Sequence, residues 1–213
     1  MRKGTIIYTL YWDKGGANMA SHAIFEELNI DYKMVEIDLS KKMQKSAEYL
    51  AINPNGKVPT LIHDGQIIYE SAAILMYILD QHPEGNLAPQ FSSPLRGAFY
   101  QYMSWMSNTL QEAANRWSHP ENYTSDISSH QSIVDKAAID LSFCWEVIDK
   151  ELADNGPWIL GDTLSGVDFH LFMIAYWSRR YTSSAQNWPN LNKHYQTMLK
   201  RESVKTMMSQ EGL

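Results

Sequence analysis

Along the first eighty residues the apolar positions change period several times. Thr5–Thr9 (TIIYT) is a short β-branched and aromatic run of the kind that forms a strand. After a Gly-containing loop, Ala20, Ala23, Ile24 and Leu28 fall at helical spacing and predict a helix over Met19–Leu28. Tyr32–Ile37 alternates as a half-buried strand does. Val58–His63 and Gln66–Tyr69 flank Asp64-Gly65, a dipeptide suited to the positive φ angles of a tight hairpin. Ser71 stands where an N-cap belongs, ahead of the apolar run Ala72–Leu79. The order βαβ, irregular segment, ββα predicts a small mixed α/β domain.

The pattern then breaks. Pro83, Pro89 and Pro94, three of the eight prolines, fall in a polar stretch with Gly85, which marks a linker. Beyond it the strand signals stop. Arg96–Trp117, Ser129–Ala153, Val167–Arg180 and Asn190–Leu199 carry apolar stripes at helical spacing. Ser165 and Asp168 form a capping-box pattern, and Asn155-Gly156-Pro157 is a stop between helices. The expected division is residues 1–82, a linker at 83–94, and an all-helical bundle at 95–213.

Composition adds exclusions. With 44% hydrophobic and 20% charged residues, the 213-residue chain has enough apolar surface for a core and is not a disordered type. Its longest apolar run, Ala72–Leu79, is far short of the ~20 residues a membrane span requires. Residues 1–20 hold no apolar secretory segment. A single cysteine, Cys144, rules out an internal disulfide framework and suits a reducing cytoplasm. It lies among Phe143, Trp145 and Val147 and reads as a buried structural thiol. The net charge of −6, without a long basic block, argues against nucleic-acid or anionic-membrane partners. The seven histidines show no metal-ligand spacing, and Ser21 and His22, adjacent on a helix, do not face each other as a nucleophile and base must.

Four segments in order carry a resemblance: Gly15-Gly16-Ala17-Asn18-Met19-Ala20-Ser21-His22, Asn53-Pro54-Asn55-Gly56-Lys57-Val58-Pro59, Glu70-Ser71-Ala72-Ala73-Ile74, and Gly161-Asp162-Thr163-Leu164-Ser165-Gly166-Val167-Asp168-Phe169. Together they resemble the cytosolic glutathione transferase family, nearest its bacterial nu-like and beta-like members. The resemblance covers essentially the whole chain. It implies a thioredoxin-like α/β domain followed by an all-α domain, with glutathione as co-substrate and no metal. It implies a cis Val58–Pro59 bond that leaves the Val58 N–H and C=O free for an extended peptide. It also implies that Glu70 and Ser71 meet the γ-glutamyl ammonium and carboxylate, and that Lys57 lies near the glycine carboxylate. Taken without the resemblance, Ser71 is a helix cap, Glu70 a solvated charge and Lys57 a surface lysine.

A free thiol titrates near ~8.5, and lowering it by ~2 units needs ~2.7 kcal/mol of selective thiolate stabilisation. One hydrogen bond to the charged sulfur (~1.5–3 kcal/mol) with a helix N-terminus is enough. Where beta-class relatives carry a cysteine followed by serine, this chain has Ala17 and Asn18, so direct cysteine chemistry is absent. Asn18 is the expected thiolate donor, with a plain N-cap as its alternative, and Tyr8 and then Tyr11 follow as donors. In the family the electrophile sits against the first bundle helix. Tyr11, Asn108, Gln111 and Trp117 are the expected lining, with Asn108, Gln111 and Asn115 at i, i+3 and i+7 as either a pocket stripe or a solvated face. Gln111 replaces a histidine frequent in beta-class members.

The resemblance thus implies a cytoplasmic, homodimeric enzyme that adds the glutathione thiolate to a small apolar electrophile. A glutathione-dependent disulfide or peroxide reductase, a thioether lyase, and a non-catalytic glutathione-binding stress protein are the alternatives.

Overall fold

The computed structural model describes residues 8–213, so Thr5, Ile6 and Ile7 of the expected first strand lie outside the described residues. Two compact units are present: Met1–Gly85 together with Lys200–Leu213, and Asn86–Leu199.

In the first unit four strands, β1 (Tyr8–Trp12), β2 (Tyr32–Glu36), β3 (Thr60–His63) and β4 (Gln66–Tyr69), form one sheet in the order β2-β1-β3-β4. β1 and β2 are parallel, as the intervening helix α1 (Met19–Leu28) requires. The β1–β3 and β3–β4 pairs are antiparallel. The hairpin between β3 and β4 turns at Asp64 (φ 47°) and Gly65 (φ 78°), both in the left-handed region that the dipeptide favours. A short helix α2 (Ala47–Leu50) lies in the irregular stretch before β3, and α3 (Ser71–Gln81) follows β4. Leu10 and Leu61 of the sheet, Ile24 and Phe25 of α1, and Ile74 and Ile78 of α3 are fully buried and form the core. This is the thioredoxin-like arrangement expected.

Two boundaries differ from the expectation. Ser71 is the first residue of α3 and not its N-cap; Glu70 holds the cap position with φ 75° and makes no side-chain cap. A further helix, α9 (Glu202–Glu211), belongs to the first unit and packs along α1. Residues 200–213, assigned to the bundle by pattern, therefore return to the α/β unit. Every residue from Met19 to Phe25 is buried: α3 and α9 pack along α1, and the Phe25 ring lies 5.3 Å from that of Tyr8 and 4.9 Å from that of Tyr32 on the sheet.

The second unit is all helical: α4 (Arg96–Trp105), a π-turn (Met106–Leu110) running on into α5 (Gln111–Ser118), then α6 (His130–Asn155), α7 (Gly166–Trp177) and α8 (Pro189–Leu199). α7 is mostly apolar and is buried around its whole circumference from Gly166 to Tyr176. Its capping box forms as expected, with the Ser165 N–H donating to Asp168 Oδ2 at 2.8 Å. Among the described residues no helix is long and apolar enough to cross a membrane.

Candidate glutathione site

Strand register decides which loops meet. Tyr11 pairs with Thr60, and Thr60 with Tyr69. The chain leaves β1 after Trp12, enters β3 at Thr60 and leaves β4 after Tyr69. Loop 13–18, Val58–Pro59 and Glu70–Ser71 consequently gather at one edge of the sheet. Tyr8 lies at the opposite edge, opposite His63 and roughly 10 Å from Tyr11 at the usual strand rise. It is buried, its ring stacks on His63 at 4.1 Å, and its hydroxyl is 3.0 Å from His82 Nε2. Burial, helped by Tyr77 and the carboxylates of Asp64 and Glu84, pushes the phenol up to about 12. Tyr8 is therefore out of reach of the loops and poorly suited to donate to an anion.

The Val58–Pro59 peptide is cis. Around it, Asn53 Nδ2 donates to the Lys57 carbonyl (3.0 Å) and Thr60 Oγ1 (2.9 Å), and the Tyr49 hydroxyl donates to the same carbonyl at 2.7 Å. Gly56 has φ 56°, and a Cβ there would meet the Gln44 carbonyl oxygen at 2.7 Å, so only glycine fits. The loop is thus fixed on both sides of Val58. Among the described residues neither the N–H nor the C=O of Val58 has a hydrogen-bond partner. Lys57 presents its side chain to solvent, as does Glu70, while Ser71 is buried at the start of α3.

Asn18 sits elsewhere than expected. It is 0% exposed. Its Nδ2 donates to Glu211 Oε1 at 2.8 Å and its Oδ1 accepts the Asp13 N–H at 3.1 Å. It neither caps α1 through its side chain nor reaches solvent, so it braces loop 13–18 from beneath. Gly15, Gly16, Ala17 and the Tyr11 side chain are among the half-exposed groups of this edge. Among the described residues the Ala17 N–H and the Tyr11 hydroxyl have no hydrogen-bond partner. Tyr11, beyond the strand read over Thr5–Thr9, is part of β1, and its ring lies 5.8 Å from that of Tyr49.

Within the helical unit, the π-turn adds a residue to one turn and divides the polar stripe. Asn108 is exposed and its Nδ2 donates to Ser104 Oγ at 3.3 Å. Gln111 Oε1 faces Nε2 of His170 at 3.0 Å, and burial pushes the His170 imidazole down to about 4. Asn115 Nδ2 donates to the Tyr123 hydroxyl at 2.8 Å. Trp117 packs on Tyr181, ring centroids 4.1 Å apart. Gln111 and Trp117 thus serve the interior of the bundle as well as its surface. Cys144 is buried, which pushes its thiol up to about 11, the inert state expected of it.

At the sheet edge, an unpaired backbone N–H and C=O stand beside a free carboxylate, a helix start and a half-exposed amide. Such a set offers complementary partners to the backbone of an extended peptide and to a head group with both an ammonium and a carboxylate. Residues 9–80 match the family model described as glutathione S-transferase, N-terminal domain, and residues 121–202 match that of the C-terminal domain. The chain belongs to the glutathione transferase family. Glutathione is the co-substrate of this family. Among curated relatives, this chain is similar to glutathione S-transferase GstA of Escherichia coli O157:H7, with 26% identity over 96% of this chain and 98% of the relative. It is also 25% identical to the disulfide-bond oxidoreductase YfcG of Escherichia coli K12, over 76% of this chain and 79% of that one. Among solved structures, a glutathione transferase homologue from Sulfitobacter with bound glutathione superposes with a TM-score of 0.90 at 25% identity, covering 98% of this chain and 100% of that one.

Two contributors to the site were missed by sequence reasoning. Asn53 is quoted in the Asn-Pro-Asn-Gly motif without a role, although an asparagine before such a turn is a natural donor to its carbonyls. Glu211 carried no signal, since a carboxylate near the end of an amphipathic helix reads as part of its wet face.

Proposed function

We propose that this family member is a glutathione transferase-type enzyme that holds glutathione at the sheet edge and adds its thiolate to a small apolar electrophile. The observation that carries this reading is the unpaired N–H and C=O of Val58, fixed between the Asn53–Lys57 and Thr60 hydrogen bonds. The tripeptide backbone pairs with Val58, and its γ-glutamyl head lies against Glu70 and the start of α3. Its glycine end runs toward Lys57. The sulfur meets the Ala17 N–H and the Tyr11 hydroxyl, with Asn18 holding the loop in place. Catalysis then consists of keeping the sulfur ionised and near its target; no general base takes part. Asn108, Gln111 and Trp117 belong to the reading as contributors to electrophile binding, together with a cytoplasmic location and the homodimeric assembly usual in the family.

Calorimetric titration with glutathione tests binding, and turnover of an aryl halide tests transfer. Tyr11→Phe is expected to raise the bound thiol pKa by about one unit, since one hydrogen bond to an anion is removed, and to leave affinity for S-methylglutathione unchanged. An unmoved pKa assigns the sulfur to backbone amides alone. A second reading, glutathione-dependent disulfide reduction, is favoured by the similarity to YfcG and by Ala17 at the cysteine position. Turnover of a mixed disulfide, with an aryl halide and cumene hydroperoxide inert, would select it.

A further inference from the structure

The carboxylate of Glu211 is sealed inside the first unit, its side chain 0% exposed. Oε2 accepts the Gly15 N–H at 3.0 Å, and Oε1 accepts Asn18 Nδ2 and faces His22 Nδ1, both at 2.8 Å. Asn18 in turn holds the Asp13 N–H. One side chain from α9 therefore fastens Asp13, Gly15, Asn18 and His22, while the loop's own backbone contributes Gly16 N–H to Asp13 O (3.0 Å) and Met19 N–H to Gly16 O (3.2 Å). The packing leaves little slack: a Cβ on Gly16 would meet Asn18 Oδ1 at 2.7 Å, and a Cβ on Gly15 would lie 3.3 Å from Leu213 Cδ2.

The His22 ring is held on its far side as well. Its Nε2 faces Gln210 Oε1 at 2.6 Å and the Tyr32 hydroxyl oxygen at 2.9 Å. Gln210 is oriented by donating through Nε2 to Glu26 Oε1 at 3.1 Å, and Tyr32 donates to the same carboxylate. Both ring nitrogens of His22 thus face oxygen atoms, so the ring is held on both sides. At the start of α9, its N-cap Arg201 and Ser203 are bound to Glu27 of α1. Two kinds of contact can therefore be separated. Among the described residues the side chains of Arg201 and Ser203 bond to α1 alone, whereas Glu211 holds the loop as well as His22 of α1.

We propose that Glu211 is a positioning residue for thiolate stabilisation: from α9 it fixes Gly15 and Asn18 on either side of Ala17, and so aims the Ala17 N–H at the sulfur of glutathione. This rests on the binding reading above. The exchange Glu211→Gln keeps the shape but removes the charge and one of the two acceptor oxygens, so the anchors at Gly15 and Asn18 can no longer both be held. The bound thiol pKa, read from thiolate absorbance, is expected to rise by about one unit, a tenfold loss of thiolate below it. Affinity for S-methylglutathione, which has no thiol to ionise, is expected to stay within about threefold, less than 1 kcal/mol.

Ser203→Ala loosens α9 without touching the loop. It is expected to lower thermal stability and leave the thiol pKa where it was. Should Glu211→Gln not fold, Asn18→Ala removes the same anchor from the loop side and carries the same expected pKa rise. An unchanged thiol pKa in the folded variant overturns the proposal, and so does an equal rise in Ser203→Ala. A wild-type protein that binds glutathione without lowering its thiol pKa also overturns it and leaves the binding reading standing. No binding of glutathione to the wild type removes both.

Discussion

Replacing Asp168 by alanine should lower the unfolding free energy by about 3 kcal/mol or more. The carboxylate is fully buried. It accepts the Ile159 N–H at 3.0 Å, the Ser165 N–H at 2.8 Å and His194 Nε2 at 3.0 Å, all inside the helical unit. Alanine leaves those three donors buried without acceptors, at about 1–3 kcal/mol each. Against a typical total of about 5–15 kcal/mol this is a large share, and a chain of this size should melt roughly 6–12 °C lower. Ser165→Ala removes one hydroxyl contact and should cost less, about 0.5–2 kcal/mol. Denaturant titration of the three proteins checks the ranking. A loss below about 1 kcal/mol for Asp168→Ala would mean that water replaces the carboxylate and that the capping box is dispensable.

Glu70→Gly should move stability and binding in opposite directions. Glu70 holds φ 75° and ψ 118°, a conformation that a side-chain-bearing residue adopts at a cost of about 1–3 kcal/mol. Glycine removes that strain but adds about 0.5–1 kcal/mol of backbone entropy to be lost on folding. The net expectation is a protein more stable by about 1 kcal/mol. The same change deletes the carboxylate proposed to meet the γ-glutamyl ammonium. A hydrogen bond to a charged group contributes about 1.5–3 kcal/mol, so glutathione should bind roughly 10- to 150-fold more weakly. Glu70→Ala separates the two effects, because it loses the carboxylate and keeps the strain. A Glu70→Gly protein with unaltered glutathione affinity would detach Glu70 from the site.

Much of this architecture is legible in the sequence because local signals agree there. Asp64-Gly65 adopts the left-handed angles its composition suggests, and Ser165 with Asp168 closes the expected box. α1 begins and ends where its apolar spacing does. Signals that overlap are read less well. Ile6 to Trp12 is apolar or aromatic except for Thr9, so nothing in the pattern places the strand's end, and a strand read over Thr5–Thr9 stops short of Tyr11, which belongs to β1. The π-turn at Met106–Leu110 has no compositional mark, yet it rotates Gln111 toward His170 and undoes the stripe read from spacing. Asn18 illustrates a different difficulty. Its type suits a cap or an amide donor equally, and what settles its direction is a carboxylate far along the chain. Val204, Met207 and Gly212 do outline α9, but neither they nor any other local pattern tells which unit the helix covers.

The return of α9 to the α/β unit also orders events during synthesis. At roughly 5–20 residues per second, the ribosome takes several seconds to make Asn86–Leu199 after Gly85 has emerged. Throughout that interval one flank of α1 is bare, and the amide of Asn18 and the ring of His22 lack the acidic partner they have in the finished protein. The nascent α/β unit therefore keeps that flank of α1 open to solvent until residues 200–213 have been made, even though its sheet can already be complete.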